Sequence, residues 1–223
     1  MRNVIKSTLV AASLIATPLA QAEVSLDKLS INIGAITVKP DSSTSYIDGT
    51  NNTLGLSVDS NTQLGITLDY AINDNWALEL IAATPFSHDI DGEAGLDGAS
   101  LGSTKHLPPT LLAQYHFGGS NAVFRPFIGA GINYTIFFDE QAGQDLKTTL
   151  GTNDVELKLD NSLGLAAQAG FNYSVNNKWA VHAVATYMDI DSDAEIFANG
   201  TKALTSTVNI DPVVFMLGMK YKF

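Results

Sequence analysis

The chain has 223 residues, a formal net charge of −11, 45% hydrophobic residues and no cysteine. Its acidity argues against a nucleic-acid partner, and the missing thiols exclude disulfides, a cysteine nucleophile and cysteine-based metal sites. Beyond the first 22 residues no apolar run is long enough for a transmembrane helix, although the mean hydropathy is slightly positive.

The chain begins MRNVIKSTLVAASLIATPLAQA. Arg2 and Lys6 form a basic start, Val4 to Ala16 a short apolar run, and Ala20-Gln21-Ala22 a small-x-small cleavage pattern. A secretory signal peptide over 1–22 is therefore predicted, with cleavage after Ala22. The remaining 23–223 carries a charge of −13, since Arg2 and Lys6 leave with the leader. An exported chain without disulfides suits a bacterial envelope.

From there the apolar residues alternate with period two, the signature of strands. Eight segments follow, over 29–39, 62–72, 76–86, 106–117, 123–138, 161–175, 179–190 and 209–223. In the second, Leu64, Ile66, Leu68, Tyr70 and Ile72 share a face; in the sixth, Leu163, Leu165, Phe171, Tyr173 and Val175 do; in the last, Val213, Phe215, Leu217, Met219, Tyr221 and Phe223 do. Runs of about ten residues suit a tilted transmembrane strand. Connectors alternate between short ("NDN", "GGSNA", "NNK") and long. An even strand count with short turns at one end and long loops at the other describes an eight-stranded antiparallel transmembrane β-barrel, with short periplasmic turns and four long extracellular loops. Two turns share a local repeat, "INDNWALEL" and "VNNKWAVHA". Each places a Trp (Trp76, Trp179) where an aromatic girdle meets the bilayer surface, together with Tyr221 and Phe223. A soluble sandwich or lipocalin-like barrel would turn the same alternation inward; the leader, the aromatics and the terminal Phe favour the membrane.

"VDSNTQLGITLDY", "ELIAATPFSHDI", "HLPPTLLAQYHF", "FRPFIGAGINYTIFFDE", "YMDIDSDA" and "DPVVFMLGMKYKF" closely resemble the outer-membrane protein W family of Gram-negative bacteria, through the whole of 23–223. The resemblance implies an eight-stranded barrel with a narrow, largely apolar lumen and passive entry of small, mostly hydrophobic solutes. It also implies roles as a bacteriocin receptor and stress-responsive surface protein. Phe223, with Tyr221, Met219 and Leu217 before it, resembles the signal read by the barrel-assembly machinery. Family members often carry Trp where this chain has Leu163 and Val213, which bears on solute preference and leaves the fold intact.

With the apolar rows turned to lipid, the other residues face the lumen. Asp69, Glu79, His116, Arg125, His182, Lys220 and Lys222 gather near the periplasmic side, where unpaired charges would be costly. They predict an ion-paired periplasmic plug. Higher up, Ile36, Val38, Ile81, Leu112, Phe137, Val184, Met188, Val214 and Met216 are inward and apolar. They predict an apolar cup open to the outside; the alternative is a solid barrel, because eight strands leave a lumen that side chains can fill.

Pro108 and Pro109 fall inside the fourth segment, and proline gives no N–H to a ladder. Pro109 lies about 20 Å up the wall from the periplasmic end. Adjacent residues direct their N–H groups to opposite neighbours, so the pair should remove one bond toward the third strand and one toward the fifth. That defect predicts a lateral exit into the bilayer; a β-bulge that shapes the barrel is the alternative.

"DIDSDAE" begins like an EF-hand loop, but Ala194 stands at its sixth position and Gly200 at its twelfth. The acidic long connectors read as solvated surface, with cation bridges to lipopolysaccharide phosphates a weaker reading. No nucleophile motif occurs, so no enzyme, cofactor or metal is expected. The sequence predicts a passive channel for small hydrophobic or amphipathic solutes. The alternative is a non-transporting structural or receptor barrel that engages phage, bacteriocin or host surfaces. Expected partners are outer-membrane lipids, lipopolysaccharide and the barrel-assembly machinery.

Overall fold

The computed structural model describes residues 25–41, 45–46, 55–93 and 95–223. The leader predicted over 1–22 lies outside the described residues. In chain order the strands are β1 Leu29–Lys39, β2 Ser45–Tyr46, β3 Gly55–Val58, β4 Asn61–Ala71, β5 Trp76–Ala83, β6 Phe86–Glu93, β7 Ser100–Leu107, β8 Thr110–His116 and β9 Phe124–Ala142. The helix α1 (Gln144–Leu150) follows, then β10 Val155–Leu159, β11 Ser162–Ser174, β12 Trp179–Met188, β13 Asp191–Ala198, β14 Thr201–Asn209 and β15 Val213–Lys222.

Eight of these close into an antiparallel barrel, β1-β4-β5-β8-β9-β11-β12-β15, with β15 returning to β1. Period two decides which face meets lipid. On β11 the apolar Leu163 is 72% exposed while its neighbour Ser162 is buried, and on β4 Leu64, Ile66 and Leu68 are exposed while Thr67 and Asp69 are buried. In water such rows would be a liability; in a bilayer they are the favourable surface. Barrel closure pairs every wall strand on both sides, as backbone in hydrocarbon requires.

The two repeated turns share one hydrogen-bond pattern. Asn73 Oδ1 accepts the N–H groups of Asn75 and Trp76 at 2.9 Å each, and Asn176 Oδ1 accepts those of Lys178 and Trp179 at 2.9 Å each. The Trp after each turn enters an aromatic cluster on the outer wall. Trp76 meets Tyr115 edge-on at 5.2 Å and Tyr115 meets Phe117 at 5.1 Å. Trp179 lies 4.9 Å from Tyr221, which meets Phe223 at 5.2 Å.

The long connectors were expected to be loops, and here the structure differs. Much of them is strand that carries the wall past the bilayer. The β6–β7 hairpin rises above β5 and β8 and pairs with the upper part of β9, while β10, β13 and β14 form a separate three-stranded sheet. Two segment boundaries move with this. The segment 76–86 divides at Pro85 into β5 and β6, and the segment 106–117 divides at Pro108 and Pro109 into β7 and β8. The last segment also starts later, at Val213, because Asn209 closes β14.

Candidate functional site: a polar lumen floor beneath an apolar cavity

The lumen is stratified, and the periplasmic layer is polar. Asp69, Glu79, His116, His182 and Lys220 are all buried there. Lys220 Nζ pairs with Asp69 Oδ2 at 3.4 Å, the Asn32 amide donates to the same oxygen at 2.6 Å, and the Gln168 amide donates to Glu79 Oε2 at 2.8 Å. The histidines bond to neutral side chains, His116 Nε2 to Gln114 Oε1 at 2.9 Å and His182 Nδ1 to Asn172 Oδ1 at 3.0 Å. Between them stands Phe127, stacked on His182 at 5.6 Å and tilted against His116 at 5.0 Å. Among the described residues the layer holds one ion pair, and amides supply most other contacts. Arg125 and Lys222 are half-buried at its lower rim, where they border a mouth pocket of about 250 Å3. The Arg125 guanidinium donates to the Asp74 carbonyl at 2.5 Å.

Asn32, Gln114, Gln168, Asn172 and Phe127 were not singled out from the sequence. The signal was parity, since each lies an even number of residues from a charged or apolar lumen residue of its own strand.

Above the polar layer the structure gathers Ile36, Val38, Ile81, Leu112, Phe137, Val184, Met188, Val214 and Met216 into one buried cluster with Phe86, Phe127 and Ile190. All are inward, but they form a packed layer in place of the walls of an open cup. The reason is girth, because eight strands bring opposite side chains into contact. The open space lies higher, inside the extracellular extension. There an apolar cavity of about 190 Å3 is enclosed by residues including His88, Ile90, Leu101, His106, Phe137, Leu146, Leu157, Ile190 and Val208. Of the predicted cup residues Phe137 alone lines it.

Pro108 and Pro109 stand between these levels. Pairing of β5 with β8 ends at Ile81 opposite Thr110, and pairing of β6 with β7 resumes at Phe86 opposite His106. Ala82–Pro85 thus faces Leu107–Pro109, four residues against three, and among the described residues no backbone pairing joins them. Toward β9 the register runs straight through, from Leu107 opposite Ile136 to Thr110 opposite Asn133, and Tyr134 N–H donates to the Pro109 carbonyl at 3.0 Å. The Pro108 carbonyl accepts the buried Thr110 hydroxyl at 2.9 Å. The interruption is thus concentrated on the side of β5 and β6, because Pro85 removes a donor from the facing segment as well. Pro85 was legible in "AATPFS" and was not singled out.

The extracellular rim is acidic. Asp189, Asp191 and Asp211 bring carboxylate oxygens within 4.8 Å of one another. Partial burial, then the charges of Asp211, Asp189 and Asp193, push the Asp191 carboxyl above its usual range.

A closed antiparallel barrel of eight strands, with apolar rows on its outer wall, an aromatic periplasmic rim and a polar lumen floor, defines a small bacterial outer-membrane β-barrel. Residues 27–223 match the OmpW family, and the chain belongs to that family. It is 45% identical over 195 residues to outer membrane protein W of Vibrio cholerae, covering 86% of this chain and 87% of the relative. It is 44% identical over 191 residues to outer membrane protein W of Escherichia coli, covering 85% of each. The crystal structure of outer membrane protein OprG from Pseudomonas aeruginosa superposes with a TM-score of 0.77 at 42% identity, covering 87% of this chain and 95% of that one. The protein resides in the outer membrane of a Gram-negative bacterium.

Proposed function

We propose that this barrel is a passive channel for small hydrophobic or amphipathic solutes that releases them sideways into the bilayer. The carrying observation is the unpaired stretch between Ala82–Pro85 and Leu107–Pro109, one step below the floor of the apolar cavity, where His106 and Phe137 stand. A solute collected in the vestibule meets the packed layer of Leu112, Val184 and Met216 below it, and the ion-paired, amide-rich plug below that. Straight passage would need both layers opened; the wall beside the prolines needs no ladder bonds broken. The acidic extracellular rim leaves neutral solutes as the favoured cargo.

The packed lumen favours a second reading, a non-transporting barrel whose extracellular extension serves as a receptor for phage, bacteriocin or host surfaces. One experiment separates the two. Uptake of small apolar solutes is followed in proteoliposomes carrying the natural barrel and a folded Pro108→Val, Pro109→Val variant. Faster uptake than in empty liposomes, lost in the variant while ion conductance stays low in both, supports lateral release. Uptake no faster than in empty liposomes rejects transport, and the prolines then serve as a bulge that shapes the wall.

A further inference from the structure

The vestibule is apolar almost throughout, and its main polar feature is a pair of histidines. His88 on β6 and His106 on β7 are 3% and 5% exposed, stack at 4.9 Å with their planes 23° apart, and bring their Nε2 atoms to 3.0 Å. Both rings border the cavity. Phe86 stacks on the His106 ring at 5.3 Å, and Phe137 leans on it at 5.9 Å.

The hydrogen-bond direction follows from the far end. His88 Nδ1 lies 2.7 Å from the Asp59 carbonyl oxygen, an acceptor only, so this nitrogen carries the proton. Burial, and then the neighbouring His88, hold the His106 imidazole well below its usual range; with His88 in its neutral form, His88 Nε2 is then a bare acceptor. His106 Nε2 must therefore hold the hydrogen that joins the rings. This leaves His106 Nδ1 with a lone pair, and no donor among the described residues reaches it. The chain from Asp59 through His88 thus ends on an unsatisfied acceptor in a residue of the cavity wall. A buried acceptor left in this way is costly, and a ligand's donor can recover that loss.

We propose that His106 Nδ1 is the polar anchor of the vestibule, and that the cavity prefers amphipathic solutes with one hydrogen-bond donor, small phenols and alcohols, over hydrocarbons and ethers. This rests on the reading that the vestibule collects solute, and it names the class collected. Binding sites of this type are apolar with a few placed polar groups that set orientation. The cavity, about 190 Å3, exceeds the ~150 Å3 that holds a benzene, so a single substituted ring fits. Its face lies against the aromatic wall, and its hydroxyl reaches Nδ1 through a small tilt of the His106 ring.

The test uses para-cresol, its methyl ether and para-xylene, titrated against the full barrel in lipid nanodiscs. Affinity is read from methyl resonances of Ile90, Leu101 and Ile190, which lipid partitioning does not move directly. In His106→Phe the cresol affinity is expected to fall about tenfold, one hydrogen bond's worth, while xylene and the ether stay within about twofold. In the natural chain, which needs no variant to fold, the His106 Nδ1 nitrogen resonance should move on cresol binding and stay in place with xylene. Equal changes for all three probes, no change in the nitrogen resonance, or no binding would overturn the proposal. Xylene binding without a cresol effect would do so and leave lateral transport to its own uptake assay. A cresol-specific shift with no uptake would keep the anchor and reject the channel.

Discussion

Lys220 on β15 and Asp69 on β4 meet at 3.4 Å inside the barrel, although their strands are not neighbours and β1 lies between them. The pair bridges β1 through the lumen, and Asn32 of β1 donates to the same Asp69 oxygen. Removing one partner leaves an uncompensated buried charge, which costs about 3–5 kcal/mol, whereas neutralising both is far cheaper. Lys220→Met should therefore lower the stability of the folded barrel by about that amount in urea titrations in lipid vesicles. Asp69→Asn combined with Lys220→Met should regain more than half. A single substitution costing less than about 1 kcal/mol would mean that the pair behaves as a solvated surface contact.

The amide beside Glu79 depends on a glycine. A Cβ built at Gly129 would lie 2.8 Å from Gln168 Nε2 and 2.9 Å from its Cγ, so the Gln168 side chain occupies space that only glycine leaves open. Gly129→Ala should displace the amide and break its 2.8 Å bond to Glu79, at a cost of about 1–3 kcal/mol for the stranded carboxylate. Gln168→Ala should cost a similar amount, and the double variant little more than either alone. Full additivity in the same urea assay would show that Gly129 matters for another reason.

These polar partners mark the limit of what the sequence discloses. Charged lumen residues stand out because charges are rare in a membrane wall, and alternation then fixes their face; β1 is predicted to the residue over 29–39. Neutral Asn32, Gln168 and Asn172 share that parity without advertising it. The extracellular strands were hidden for a different reason. Their outer face meets water, so an acidic row replaces the lipid-facing apolar row, and bulges at Ile90/Asp91 and Ile196/Phe197 shift the register within short segments. Each shift resets the parity on which the reading depends. The vestibule is built from four connectors far apart in sequence, and no local pattern encodes a space between them. The prolines were visible, but the size of the interruption depended on Pro85 facing them across the wall.

The repeated turns can be tested together. Asn73 and Asn176 each accept two backbone N–H groups with one carboxamide oxygen. Asn176→Ala removes both bonds at an exposed turn, where water replaces them in part, so the loss should be about 1–2 kcal/mol. Asn176→Asp keeps the acceptor and should recover most of that stability. The same substitutions at Asn73 should give the same ranking. If Ala and Asp are equally tolerated at both positions in vesicle unfolding, the shared geometry has no energetic weight.

The acidic rim supplies a pH dependence whose sign is determined. The folded protein holds the Asp191 carboxyl above its usual range, first through partial burial and then through Asp211, Asp189 and Asp193. Folding therefore favours the protonated form, so ionisation opposes the folded hairpin. The penalty is complete above the raised folded value and disappears as pH falls through the ordinary carboxylate range near 3.9. Asp211→Asn should relieve it at neutral pH. The change retains an Oδ1 acceptor for the Ile190 N–H, which Asp211 accepts at 3.1 Å, and Asn tolerates the positive φ of 36° at this position. With chelator present, β13 and β14 amides should be better protected from hydrogen exchange in the variant than in the natural chain at pH 7 and equally protected near pH 3. A variant advantage that persists unchanged at the acid end would place its origin in the turn's backbone rather than in carboxylate repulsion.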